Sequence, residues 1–361
     1  MNTLFTRGVV DFIPPINKPI NKPILNVKCG FDPTSPHLHL GHCVLLKKLK
    51  DFQLEGHNII IIIGDFTATI GDPTGKSNTR VQLREKTVQE NAKTFLDQIF
   101  RILDKEKTIV KFNSTWWNEM KASDMIKLSS SITVSRMLDR EDFKKRFDNH
   151  IPISTHEFLY PLLQGHDSVV VEADLEIGGT DQLFNLHMGR MLQEKNDMEP
   201  QGILTLPILL GTDGIQKMSK SLNNTINMDD SAFMIRQKIL NMPDTNIDSF
   251  TWLLTGEVNE HKDFLSSKKV LAEQIIKLLN VQDDGVLELS VKEDSLPISA
   301  ILNRLNITKN SAAARDLVLK CAVLVNGEVV GLDKRINANT TFKLKAGKKE
   351  EILINMVKDN G

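Results

Sequence analysis

The stretch Ile24-Leu25-Asn26-Val27-Lys28-Cys29-Gly30-Phe31-Asp32-Pro33-Thr34, continued by His37-Leu38-His39-Leu40-Gly41-His42, reads as a strand, a loop and the start of a helix. The run from Ile24 to Lys28 is short, apolar and β-branched, and it leads into Gly, Asp and Pro. From Gly41 onward Leu45, Leu46, Leu49 and Phe52 recur at helical spacing, with Lys47, Lys48 and Lys50 on the other face. A helix that starts directly after such a loop offers free backbone N–H groups and the positive end of its dipole, which suits a phosphate. Gly41 lets a flat group approach closely, and the histidines donate hydrogen bonds. His37, His39 and His42 also admit a metal reading, but no nearby Cys or second cluster completes a coordination shell.

Outward from this unit, Asn58 to Ile63 is a second buried-strand pattern, followed by Thr108 to Phe112, Ser168 to Ala173 and Ile203 to Leu209. Helical stretches such as Thr87 to Leu103 and Gln182 to Gln193 separate them. The alternation predicts an α/β fold with a mostly parallel sheet, whose ligand crevice lies at the carboxyl ends of the strands, and residues 1–222 are assigned to it. After Leu222, Asp229 to Leu254 and Lys262 to Leu279 read as helices, giving a small helical domain at 223–281. Gln282 to Pro297 is acidic with few large apolar residues and reads as a linker. Residues 298–361 form a small α+β domain, with helices near Ile298 to Leu305 and Ser311 to Cys321 and strands around Val323 to Asn326, Val329 to Val330 and Thr341 to Leu344.

The chain has 361 residues, 45 Lys+Arg against 46 Asp+Glu, and 3 cysteines. Three cysteines without paired or metal-ligand spacing exclude a disulfide framework and point to a reducing, cytoplasmic compartment. The longest apolar run, Asn58 to Ile63, is far short of a membrane span, and residues 1–10 lack the apolar core of a leader. Charge is segregated: Pro297 to Gly361 holds 11 basic and 6 acidic residues, an excess of +5 that leaves −6 for the remainder.

A second cluster, Lys217-Met218-Ser219-Lys220-Ser221, follows the Gly-bearing loop Gly211 to Gly214. Two ammonium groups on a flexible segment suit a leaving polyphosphate. Together with His39-Leu40-Gly41-His42, this string resembles the signature motifs of the class I aminoacyl-tRNA synthetases, the tyrosyl branch in particular. Phe31 to Thr34, Gly64 to Ala68, Ile70 to Lys76, Tyr160 to Gln164 with Asp167, and Gly178 to Gln182 are similar to the same branch, and the tail resembles the small RNA-binding fold that bacterial-type members carry.

The resemblance implies a Rossmann-like catalytic domain, a helical anticodon-side domain and an RNA-binding tail. It implies activation of L-tyrosine with ATP to tyrosyl-adenylate and transfer to tRNA(Tyr), with Mg²⁺ on the ATP phosphates and no membrane association. Thr34, His39 and His42 would meet the triphosphate near Gly41, while Lys76, Arg80, Lys217 and Lys220 would close on pyrophosphate. Cys29 and Asp181, beside Gly179, would meet the ribose. Asp72, Tyr160 and Gln164 would bind the α-ammonium, Gln182 would lie near the carboxylate, and Asp167 would accept from the phenol. Tyr160 is the only tyrosine in the chain. Arg315, Lys343, Lys345 and Lys348, with Lys334, Arg335 and Lys349, would track RNA, and a homodimer contact would lie near Ser135 to Tyr160. Where a large branch of the family has a tyrosine before the Cys-Gly-Phe-Asp run, this chain has Lys28. The tryptophanyl enzymes share the fold and phosphate loops, and a non-catalytic RNA-binding scaffold is the reading from another class. The segment from Tyr160 to Asp167 weighs against the first, and the intact lysine and histidine strings against the second.

Overall fold

The computed structural model describes residues 3–15, 23–74, 83–260, 263–282, 285–308, 310–347 and 351–359. It divides into two compact units, Met1–Leu210 with Trp252–Gly256, and Gly211–Thr251 with Glu257–Gly361. The string Lys217 to Ser221 thus falls in the second unit, whereas the sequence reading put it at the end of the first domain.

The first unit is built on six strands, β1 (Asp11–Ile13), β2 (Asn26–Phe31), β3 (Asn58–Ile63), β4 (Thr108–Phe112), β5 (Leu175–Gly179) and β6 (Gly202–Leu206). Their order is β1-β6-β5-β2-β3-β4, all parallel except the edge strand β1. β3 buries all five of its isoleucines, as a central parallel strand covered on both faces should. Helices α1 (Leu40–Leu54), α2 (Thr67–Ile70), α3 (Glu85–Ile99), α4 (Ser114–Trp117), α5 (Ala122–Ser129), α6 (Val134–Leu138), α7 (Glu141–Asp148), α8 (Thr155–Val170) and α9 (Leu183–Lys195) belong to this unit. Strand order reverses between β2 and β5, so the crevice at their carboxyl ends receives the loops after Phe31 and Gly179.

The predicted strand Ser168 to Ala173 is corrected: α8 runs through Val170, and the strand starts at Leu175. The consecutive valines 169–171 favour a strand locally, but burial of Tyr160, Leu163 and Asp167 at helical spacing governs the segment. Gly165 permits this packing, since a Cβ there would lie 2.9 Å from the Met188 carbonyl carbon in α9.

In the second unit, the helix expected from Asp229 to Leu254 is two: α10 (Ala232–Asn241) and α11 (Ile247–Thr255), which continues into the first unit. Pro243 ends the first of them. Beyond α12 (Phe264–Leu278), the expected linker is also corrected. It carries β7 (Val286–Val291) and β8 (Ser295–Pro297), and β7 pairs in parallel with the last strand of the sheet β10-β9-β12-β13-β7. Val286, Leu287, Leu289 and Val291 were too widely spaced among acids to reveal a strand whose hydrogen-bonding partner lies at the far end of the chain. Helices α13 (Ile298–Arg304) and α14 (Ser311–Leu319) and strands β9 (Val323–Val325), β10 (Glu328–Val329), β11 (Arg335–Asn337), β12 (Thr340–Ala346) and β13 (Ile352–Lys358) complete the tail. Phe233 and Met234 of α10 pack against its core.

Candidate active site

The loop after β2 is fixed from behind by α3. Asn91 donates to the Pro33 carbonyl (2.9 Å), and Gln98 donates to Pro36 and accepts from the Leu38 N–H (2.7 Å). Neither amide was singled out from sequence, since an amide in an amphipathic helix reads as surface until its partner is known.

His39 caps α1 with extended backbone, and its Nδ1 accepts from the Gly41 N–H (3.2 Å). His42 Nδ1 accepts from the His39 N–H (3.2 Å), and the rings lie 4.1 Å apart. With both Nδ1 atoms acting as acceptors, each neutral ring carries its proton on Nε2, a donor suited to phosphate oxygens. Thr34 follows at the loop, its N–H donating to the Asp32 carbonyl (2.7 Å). Cys29 lies in β2 with its thiol buried, and burial pushes that thiol up. Gly179 closes β5, where a Cβ would sit 2.7 Å from the Asp181 carboxylate.

Beside these loops three carboxylates gather. Asp32 accepts from Thr67 (2.8 Å) and from the Tyr160 hydroxyl (2.8 Å). Burial raises its carboxyl to about 7; the bonds from Thr67 and Tyr160 oppose the rise, and the charges of Asp72 and Asp167 add to it. Asp72 accepts from Gln182 Nε2 (2.8 Å) and from the Thr74 N–H. Asn185, missed from sequence, donates to both Gln182 Oε1 (2.9 Å) and Gln164 Oε1 (3.1 Å), tying the two glutamines together. Mutually repelling carboxylates ringed by amides and a hydroxyl form a place for a small ammonium group.

Asp167 lies deeper, buried in α8. Its Oδ1 accepts from the indoles of Trp116 (2.9 Å) and Trp117 (3.0 Å), and its Oδ2 from Asn113 (3.2 Å). Burial raises it to about 6, opposed first by the Lys28 charge and then by these N–H bonds. Three donors hold this group as an acceptor, with a lone pair of Oδ2 open to one more hydroxyl. The two tryptophans were not singled out in the sequence; only the fold turns their N–H groups onto one oxygen.

In the second unit, the lysine-bearing loop is organised by a residue the sequence reading did not name. Asn224 is buried, and its Nδ2 donates to Asp213 (2.8 Å) and to the Lys217 carbonyl (3.1 Å) while its Oδ1 accepts from the Ser219 N–H (2.8 Å). Gly211 makes room for it, as a Cβ there would lie 2.1 Å from Nδ2. Asn224→Ala is expected to leave these groups unpaired, at a cost of about 1–3 kcal/mol in a thermal or urea melt. An unchanged unfolding midpoint would remove the loop-ordering role.

Lys343 and Lys345 share the outward face of β12, opposite buried Phe342, Leu344 and Ala346, and Arg315 is exposed on α14. Lys76, Arg80, Lys348 and Lys349 lie outside the described residues. Among the described residues no group of three or more His, Cys, Asp or Glu is arranged to hold a metal, and no helix is long and apolar enough to cross a membrane.

Residues 21–285 match the family described as tRNA synthetases class I (W and Y). The chain belongs to this family. Among curated class I relatives, the tyrosine–tRNA ligase of Carboxydothermus hydrogenoformans is 54% identical over 271 residues, covering 72% of this chain and 66% of that protein. The chain thus spans slightly under two thirds of that relative. The tyrosine–tRNA ligase of Aquifex aeolicus is 43% identical over 353 residues, 90% of each chain. The fold is shared with the C-terminally truncated mitochondrial tyrosyl-tRNA synthetase of Aspergillus nidulans, with TM-score 0.62 and 21% identity over 77% of this chain and 88% of the other. It is also shared with the Archaeoglobus fulgidus tyrosyl-tRNA synthetase, with TM-score 0.59 and 21% identity over 77% and 96%.

Proposed function

We propose that the chain is a tyrosine–tRNA ligase that joins L-tyrosine to tRNA(Tyr) through tyrosyl-adenylate. The observation that carries this reading is Asp167, a buried carboxylate kept as an acceptor by two indoles and an amide, in the same charge group as Asp32 and Asp72. Such a group takes a phenol and rejects phenylalanine, which would leave the acceptor unpaired. Asp72, Tyr160 and Gln164, with Asp32, hold the α-ammonium, and Gln182 lies near the carboxylate.

ATP use comes with the family. Its α-phosphate is attacked in line by the tyrosine carboxylate and pyrophosphate leaves, so no protein nucleophile is needed. What remains for the protein is to orient the reactants and to neutralise charge with Thr34, the Nε2–H donors of His39 and His42, and the ammonium groups of Lys217 and Lys220. Mg²⁺ arrives with the ATP phosphates. Asp181 and Cys29 face the ribose, and Lys76 and Arg80 join the pyrophosphate side. The domain roles follow: catalysis through residue 222, anticodon-side contacts from 223–281, and RNA contacts through Arg315, Lys343, Lys345 and Lys348. The outward row on β12 supports the last of these. A homodimer joined near Ser135 to Tyr160 is supported by exposed Phe147, and a cytoplasmic site by the free thiols.

ATP–pyrophosphate exchange measured with single amino acids tests the reading. Tyrosine-dependent exchange is the expected result; dependence on tryptophan, or no exchange with any amino acid, would overturn it.

A further inference from the structure

Lys28 and Glu176 are register partners on adjacent strands β2 and β5, and both are fully buried. The Lys28 ammonium donates to Glu176 Oε1 (2.8 Å), to Ser168 Oγ (2.7 Å) and to the Gln164 carbonyl (3.0 Å). These three bonds use all of its donors. Glu176 is saturated in turn: Oε1 also meets Gln164 Nε2 (3.4 Å), and Oε2 accepts from Ser168 (2.9 Å) and Gln201 (2.5 Å).

Two of the three Lys28 acceptors lie on α8, at positions 164 and 168, and they bracket Asp167 within one helical turn. On its other side Asp167 is met by Asn113, Trp116 and Trp117. The turn that carries this carboxylate is therefore held from the sheet by one ion pair and from above by three N–H donors. A buried ion pair is a poor source of stability, because desolvating both charges offsets their attraction and an apolar pair of equal volume does as well. Its positive end also favours the ionised form of Asp167.

We propose that the Lys28–Glu176 pair determines side-chain specificity as a positioning element, fixing Asp167 as the phenol acceptor without itself touching the amino acid. This rests on the reading of Asp167 given above, and the test separates the two. The full chain, Lys28→Met and the double variant Lys28→Met/Glu176→Met are compared in ATP–pyrophosphate exchange driven by tyrosine and by phenylalanine. The double variant is included because Lys28→Met alone strands a buried carboxylate. In both, the KM for tyrosine should rise about 10-fold or more, the worth of one weakened hydrogen bond to a charged group. The KM for ATP should stay unchanged, and the preference for tyrosine over phenylalanine should fall by the same factor as the tyrosine KM rises, since phenylalanine makes no bond to Asp167. General loosening of the site would move both amino acids, and ATP, together. Equal shifts for the two amino acids, no shift, or failure of the double variant to fold would overturn the proposal while tyrosine-dependent exchange by the full chain leaves the ligase reading standing. Absence of tyrosine-dependent exchange by the full chain overturns both.

Discussion

Lys220→Ala is expected to slow tyrosyl-adenylate formation by about 10²- to 10³-fold, the usual cost of removing one preorganised donor from a developing oxyanion. The KM for tyrosine should barely move, because the amino-acid groups around Asp32, Asp72 and Asp167 are supplied by different elements from the loop that carries Lys220. The measurement is single-turnover activation with saturating ATP, and a rate within a factor of about two of the unaltered chain would remove Lys220 from the reaction. A second signature distinguishes a charge role from a packing role. Burial holds the Lys220 ammonium down to about 8, with Asp229 opposing. For a base whose folded value is lowered, the charged form is lost as pH rises through that value, so the activation rate should fall above about pH 8. In Lys220→Ala this alkaline limb should vanish. A limb that persists would belong to another group.

Gly64→Ala should be strongly damaging for a single added methyl. Gly64 follows β3, and its added Cβ would lie 2.0 Å from Asp32 Oδ1 and 2.3 Å from Thr67 Oγ1. No rotamer relieves this easily, since Thr67 also accepts from Asn113 (3.1 Å) and Asp32 is bonded to Tyr160. Overpacking and the breakage of a buried hydrogen bond each cost about 1–3 kcal/mol, so a loss of roughly 3 kcal/mol is expected. The thermal midpoint should fall. Tyrosine-dependent exchange should drop with it even well below the melt, because Asp32 and Tyr160 are displaced together. Wild-type stability with a wild-type KM for tyrosine would show that the Asp32–Thr67 contact is dispensable.

Both predictions draw on residues whose significance was unequally visible. Gly64 stands in a string that resembled the family, yet its reason for being glycine is the Asp32 carboxylate, 32 positions earlier in the sequence. Lys220 was visible outright, because an ordered five-residue string is a local property. Asn224, which orders that string, lies three residues beyond its end and was passed over, since a lone Asn after a turn has many ordinary uses.

By itself the sequence determined what nearest neighbours settle: the buried isoleucine strand, the helix that begins at the paired histidines, the lysine string, and the alternation that requires a parallel sheet. It misplaced Ser168 to Ala173 and misread Gln282 to Pro297, because β-branched or sparsely apolar segments are decided by distant partners. Only the tertiary structure turned Trp116, Trp117 and Asn113 onto one carboxylate, and only it buried Lys28 against Glu176 and the turn bearing Asp167. The physical reason is common to all of them. Hydrogen bonds and ion pairs between residues some 50 to 150 positions apart have no local periodicity, so they become readable only when the fold has brought their donors and acceptors within hydrogen-bond distance.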